Sequence, residues 1–375
     1  MSDARLVKGY GQSAGLSSNA TAKSGAAFNE AAHGLRGIAS ILVFWAHLLG
    51  GTAEHIYMAD PVYVELIQRP WHLGVWGVPL FFVISGFVIL PSVVRYAPGE
   101  FALRRFFRIY PLFFVFTLLF VILNAATNAY PHVNDPVAVV SGFLFLNLFT
   151  QTEQLTPNAW SLTFEVMFYL LACGTYFAWK RFGSRLLTAI MLILCVAFLI
   201  RWPIAAFFIF GVGIRILYDR GVSISSTFAR PLEIAAILAC IFFASTNHFA
   251  YSQADMANGY LPWAIMVSTA LYFFLAIQPT SLTTAALKHR FWIYIGTVSY
   301  SLYLVHPYTY FTLRGLFAEF GLFTDNWLTS MALFFLVTTP ITMFVTHYVH
   351  KWFEVQPYRR FFKQRIYRAP DTEKA

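Results

Sequence analysis

Ten apolar stretches recur along the chain, at about 34–51, 73–90, 109–127, 160–179, 186–200, 202–217, 232–246, 260–278, 291–313 and 328–350. Most approach the ~20 residues that a helix needs to cross the hydrocarbon core of a bilayer. None shows the regular alternation of a membrane β-barrel. Only 11% of the residues are charged, against about 25% in a soluble domain. The pattern predicts an all-α integral membrane protein with about ten transmembrane helices and excludes a soluble globule.

Charge sets the expected orientation. With the N-terminus in the cytoplasm, every Lys and Arg of the 26 falls on the cytoplasmic side except Arg36, Arg69, Arg201 and Arg314. Arg36 heads the first span and the other three lie outside. This is the positive-inside bias of a multi-pass protein, with both termini cytoplasmic. It accounts for the net charge of +9 without nucleic acid as a partner. An eleventh apolar stretch, 136–150, has no Lys or Arg in either flank, 128–135 or 150–159. It is expected as a short re-entrant or interfacial helix on the outer side. Residues 1–33 are small and polar and read as a disordered cytoplasmic tail, not a signal peptide. Residues 34–350 then form one transmembrane domain, and 351–375 a basic cytoplasmic tail. Cys173, Cys195 and Cys240 sit inside apolar runs without disulfide or metal spacing, as apolar filler.

Chemistry needs polar groups at depth, and these are few. In RGIASILVFWAH, Arg36 and His47 are eleven residues apart. That places them on one side of a helix, separated by roughly 16 Å along its axis. Ionisable groups within a membrane normally face a protein interior or a wet cavity. His47 suits either a structural imidazole bonded to a carbonyl or a base. Glu165, in WSLTFEVMFY, should reach a similar depth from the outer side. It suits either an interhelical hydrogen bond or a carboxylate that orients His47. In SYSLYLVH, Ser299, Tyr303 and His306 are spaced four and three apart, on one helix face. They could be helix–helix glue or part of a site. Arg105 and Arg108 in RRFFRIYP are i, i+3 neighbours whose guanidinium forks suit phosphate, or serve as positive-inside anchors. Gly77, Pro79, Ser85 and Gly86 in WGVPLFFVISGF permit close helix approach or a kink. Glu354, among His350, Lys351, Arg359 and Arg360, reads as a structural ion pair.

Taken in order, RGIASILVFWAH, WGVPLFFVISGF, RRFFRIYP, WSLTFEVMFY and SYSLYLVH resemble the blocks of the membrane-bound acyltransferase 3 family, from about residue 30 to 360. The family's Asp three residues before the arginine is replaced here by His33. The resemblance implies a bacterial inner-membrane enzyme that moves an acyl group, often acetyl, from cytoplasmic acyl-CoA to a carbohydrate or glycolipid hydroxyl, with no metal. On this expectation Arg36, Arg105 and Arg108 bind the donor, acetyl-CoA in the first instance. His47 acts as base with Glu165 behind it. Trp160, Ser299, Tyr303 and His306 contact the acceptor. The rival reading is a proton-coupled transporter or glycolipid flippase, against which stands the absence of a repeat between the two halves.

Overall fold

The computed structural model describes residues 29–362 except Pro157. The expected disordered and basic tails therefore fall at 1–28 and 363–375 outside the described residues, and between these limits residues 30–33 and 350–362 are helical. The described residues are 83% helix, with no strand among them. In order, the helices are α1 (Glu30–His55), α2 (Pro61–Val75), α3 (Gly77–Arg95), α4 (Pro98–Thr127), α5 (Pro136–Leu144), α6 (Asn147–Thr150), α7 (Trp160–Lys180) and α8 (Arg185–Arg201). They continue as α9 (Ala206–Asp219), α10 (Ser226–Thr246), α11 (Gln253–Asn258), α12 (Leu261–Ala276), α13 (Leu282–Leu287), α14 (Arg290–Glu319), α15 (Trp327–Val349) and α16 (Gln356–Phe362).

Among the described residues, six stretches are long and apolar enough to cross a bilayer: Glu30–His55, Pro61–Arg95, Pro98–Thr127, Trp160–Lys180, Thr227–Thr246 and Trp327–Phe362. Residues 185–201 and 203–219 qualify together, as a pair bent by 119°. This gives six crossings by length and composition, or seven with the bent pair, where the sequence suggested about ten. Each of the ten apolar stretches is helical, but α8 and α9, at about 26 and 21 Å, fall short of a ~30 Å core. Leu261–Ala276 is likewise a shorter apolar helix. The eleventh stretch folds as α5 and α6, broken at Phe145, which takes a left-handed φ of 57°. At nine residues, or roughly 14 Å, α5 is too short to cross.

Capping fixes where the helices begin. The Asn29 side chain accepts from the Ala32 amide at 2.9 Å and donates to the Ile277 carbonyl at 3.2 Å. It thereby starts α1 and ties it to the end of α12. Close approach comes from glycine. A Cβ built on Gly86 would lie 2.0 Å from the Phe208 carbonyl oxygen, and one on Gly211 2.0 Å from that of Val83. The backbones of α3 and α9 thus touch directly, as small residues permit within membranes. Gly86→Ala puts its methyl against rigid backbone. It is expected to destabilise the protein by about 1–3 kcal/mol, read as a lower thermal midpoint of the purified protein in detergent; an unchanged midpoint would contradict this packing. Pressed together in this way, α1, α3, α7 and α14 wall two cavities.

Candidate active site

The first cavity, about 320 Å³, collects arginines from four segments. Arg36 comes from α1, Arg95 from the end of α3, Arg105 and Arg108 from α4, and Arg215 from α9. The three expected donor-binding arginines therefore do converge, although each is remote from the others in sequence or turned by its own helix. Arg105 donates to Ser92 Oγ at 2.9 Å and lies 5.2 Å over the Tyr169 ring. Arg215 pairs with Asp219 at 2.8 Å and lies over Phe87. Arg104 turns away, held by Glu100 at 2.7 Å and by the Tyr358 hydroxyl at 3.0 Å.

Glu165 lines this same cavity, which corrects the expectation that it backs His47. Its carboxylate accepts from Ser85 Oγ at 2.8 Å and from the Tyr169 hydroxyl, and no hydrogen bond joins it to His47. The depth along the axis was a poor guide to partnership because azimuth decides it. One residue earlier, Phe164 lines the other cavity, and a single step along a helix turns the side chain by 100°.

The second cavity, about 530 Å³, holds His47. Trp71, Trp76, Trp160 and Trp202 surround it, with His72, Asn247, His248 and Arg201 as further polar lining. Trp160 therefore lines the same cavity as His47. Partial burial and the neighbouring His72 push the His248 pKa below the ordinary histidine value, with Asp255 pulling it partly back. At neutral pH it offers a neutral imidazole. Trp76 is pinned by its indole N–H to Thr269 Oγ1 at 2.8 Å.

His47 is oriented by its own helix. Nδ1 lies 2.8 Å from the Val43 carbonyl oxygen. A carbonyl can only accept, so the proton sits on Nδ1 and Nε2 keeps a lone pair. The structural and the reactive roles open to this residue in the sequence are therefore compatible. His306 is held in the same way, by Leu302 at 3.0 Å, and its ring centroid is 5.1 Å from that of His47. It is fully buried, and its Nε2 has no hydrogen-bond partner among the described residues.

The two cavities share Val78 and Tyr303. The Tyr303 hydroxyl donates to the Asn158 carbonyl at 2.7 Å and meets Ser161 Oγ at 2.8 Å. Asn158 in turn donates to the Tyr303 carbonyl. Ser299, expected on the same face, does not reach either cavity. It is fully buried and donates to Gly296 of its own helix at 2.9 Å, where α14 packs on α1 too closely to leave space.

Sequence reasoning missed Arg95 and Arg215 as cavity residues, having counted them only for topology, and missed the ring of tryptophans. A second polar cluster, Ser301, His350 and Glu354, is not a nucleophile site. Ser301 Oγ and His350 Nδ1 both bond one oxygen of the fully buried Glu354, at 2.7 and 2.8 Å. The serine is not placed on an imidazole Nε2, as a relay requires. Among the described residues, no group of three or more His, Cys, Asp or Glu is placed to hold a metal ion.

A family model described as "Acyltransferase domain" matches residues 29–368. No curated protein and no solved structure matches the chain.

Proposed function

The chain belongs to the acyltransferase 3 family, and on that premise we propose that it transfers an acyl group, acetyl in the first instance, from cytoplasmic acyl-CoA to a hydroxyl of a cell-surface carbohydrate or glycolipid. The observation that carries this reading is the pair of cavities sharing Val78 and Tyr303, one rich in arginine and one lined by tryptophan and His47. A phosphorylated thioester donor needs the first, since guanidinium forks bind phosphate bidentately. A sugar ring needs apolar faces and a few convergent polar groups, as the second provides.

In this account Arg36, Arg105 and Arg108 take the donor's phosphates, with Arg95 and Arg215 widening the cationic surface. The thioester arm extends past Val78 and Tyr303. His47 Nε2 removes the proton of the acceptor hydroxyl as its oxygen attacks the thioester carbonyl. The C–S bond then breaks, and the thiolate leaves with the proton that His47 returns. The Val43 carbonyl fixes the imidazole tautomer and steadies the imidazolium, the role the sequence suggested for Glu165. Glu165 instead works on the donor side, where its charge sets the positions of Ser85 and Tyr169 among the arginines. His306, packed on His47, offers a second lone pair next to the proton being moved. With the N-terminus in the cytoplasm, as the positive-inside bias suggests, the arginine cavity faces the cytoplasmic side of a bacterial inner membrane. The bend between α8 and α9 then lies at the outer face, beside the tryptophans.

The donor assignment has a direct test. Arg105→Ala removes one charge-assisted contact, a loss of about 10- to 100-fold in affinity. Calorimetry with acetyl-CoA and the purified protein should show that loss, and kinetics should show a raised KM for the donor with little change in kcat. Unaltered donor affinity would place the donor elsewhere.

A further inference from the structure

Arg201 closes the last turn of α8 at the bend before Pro203, and it lines the His47 cavity. Its guanidinium lies 5.1 Å over the Trp202 ring. It is exposed, and no ion pair engages it among the described residues, whereas Arg104, Arg215 and Arg314 are committed. Arg104 and Arg215 pair with carboxylates, and the buried Arg314 donates to the Gly51 carbonyl at 3.0 Å. The lining of this cavity contains no Asp, Glu or Lys. Asp255, the acid of the adjoining segment, is occupied at the start of α11. It accepts the Ser252 amide at 2.9 Å, while Ser252 Oγ accepts the Asp255 amide at 3.1 Å. Arg201 is thus the one lining side chain that is cationic at every physiological pH. An arginine on the outer side also runs against the positive-inside bias. A guanidinium fork beside an indole face, with no anion supplied by the protein, matches a ligand that brings its own oxyanion on a ring.

We propose that the acceptor bound in the His47 cavity is an acidic saccharide, whose carboxylate or phosphate is held by Arg201 while its ring packs on the tryptophans. This rests on the transferase reading above and narrows its acceptor. The oxyanion fixes which hydroxyl faces His47 Nε2, so Arg201 selects substrate and sets regiochemistry together. His72, His248 and Asn247 are left to bond the remaining hydroxyls.

The test uses the full-length protein in nanodiscs and three oligosaccharides of equal length: a neutral glycan, a uronate-bearing glycan and a phosphorylated glycan. Binding is measured by calorimetry without donor, and acetylation by mass spectrometry with acetyl-CoA. An acidic glycan is expected to bind more tightly than the neutral one, more weakly as salt is raised, and the preferred acid identifies carboxylate or phosphate as the group recognised. Arg201→Gln should weaken the acidic glycan about 10- to 100-fold and leave the neutral one unchanged, with Arg201→Lys recovering part of the loss. Equal binding of neutral and acidic glycans by the unaltered protein would overturn the proposal. So would an Arg201→Gln effect of the same size on all three, which would mark Arg201 as a mere closure of α8. Selective, Arg201-dependent binding of an acidic glycan that is never acetylated would sustain the acidic-saccharide site and sink the transferase reading instead.

Discussion

His47→Ala is expected to lower acyl transfer by about 10²- to 10⁴-fold, the usual contribution of a positioned general base, while acetyl-CoA binding stays as it was. The imidazole is half-buried, and among the described residues its side-chain hydrogen bond is to a carbonyl of its own helix, so removing it breaks no hydrogen bond between helices, gives up only the ring contact with His306 of α14, and should leave the fold in place. Donor binding survives because every arginine proposed for the donor lines the other cavity. The split is the informative part. A loss of turnover without a loss of donor affinity is the signature of an interaction made in the transition state. His47→Ala with full turnover would remove the base from the mechanism. A variant that lost donor binding as well would show that the two cavities are not functionally separate.

The second large effect is expected at the wall between the cavities. Val78 is buried, at 4% exposure, and lines both. Val78→Phe fills the space through which the thioester must pass to reach His47. Displacing the reacting carbon by even 1 Å costs about 10²-fold, so transfer should fall by about that factor or more, with donor and acceptor each still binding. Overpacking costs about 1–3 kcal/mol, and Val78→Leu gives a milder, graded version whose thermal midpoint and turnover can be compared. Val78→Ala, which widens the passage, should retain transfer. A folded Val78→Phe protein with normal turnover would mean that the donor and His47 meet by another path.

Much of this arrangement is legible in the sequence, and the gaps have a common cause. Apolar length announces membrane helices, and the 100° step announces that Arg36 and His47 share one side of α1. Each then lines a different cavity on that helix. The arginine run of α4 likewise declares Arg105 and Arg108. What sequence spacing does not carry is the rotation of one helix relative to its neighbours. Glu165 and Phe164 differ by one position yet serve different cavities, so a matched depth wrongly paired Glu165 with His47. Ser299 and Tyr303 share a helix face, yet the contact of α14 with α1 seals the first and leaves the second at the common wall. Arg215 reaches the arginine-rich cavity because Gly86 and Gly211 bring α3 and α9 into backbone contact, a relation between segments far apart in the chain. The tryptophans of the second cavity come from several such segments and show no shared motif. The crossing number is hard to read for a related reason. A 119° bend at Trp202 turns two short apolar helices into one pair, and hydropathy alone does not reveal bends.

The central claim is that donor and acceptor approach His47 from opposite faces of the membrane. Proteoliposomes test it most directly. The protein is reconstituted in one orientation with labelled acetyl-CoA sealed on the side of Arg36 and Arg105, and a glycan acceptor supplied only on the side of Trp71 and Trp202. The account expects label on the glycan in that arrangement, and none when donor and acceptor are both confined to the tryptophan side. Transfer that occurs only when both substrates share one compartment would contradict it.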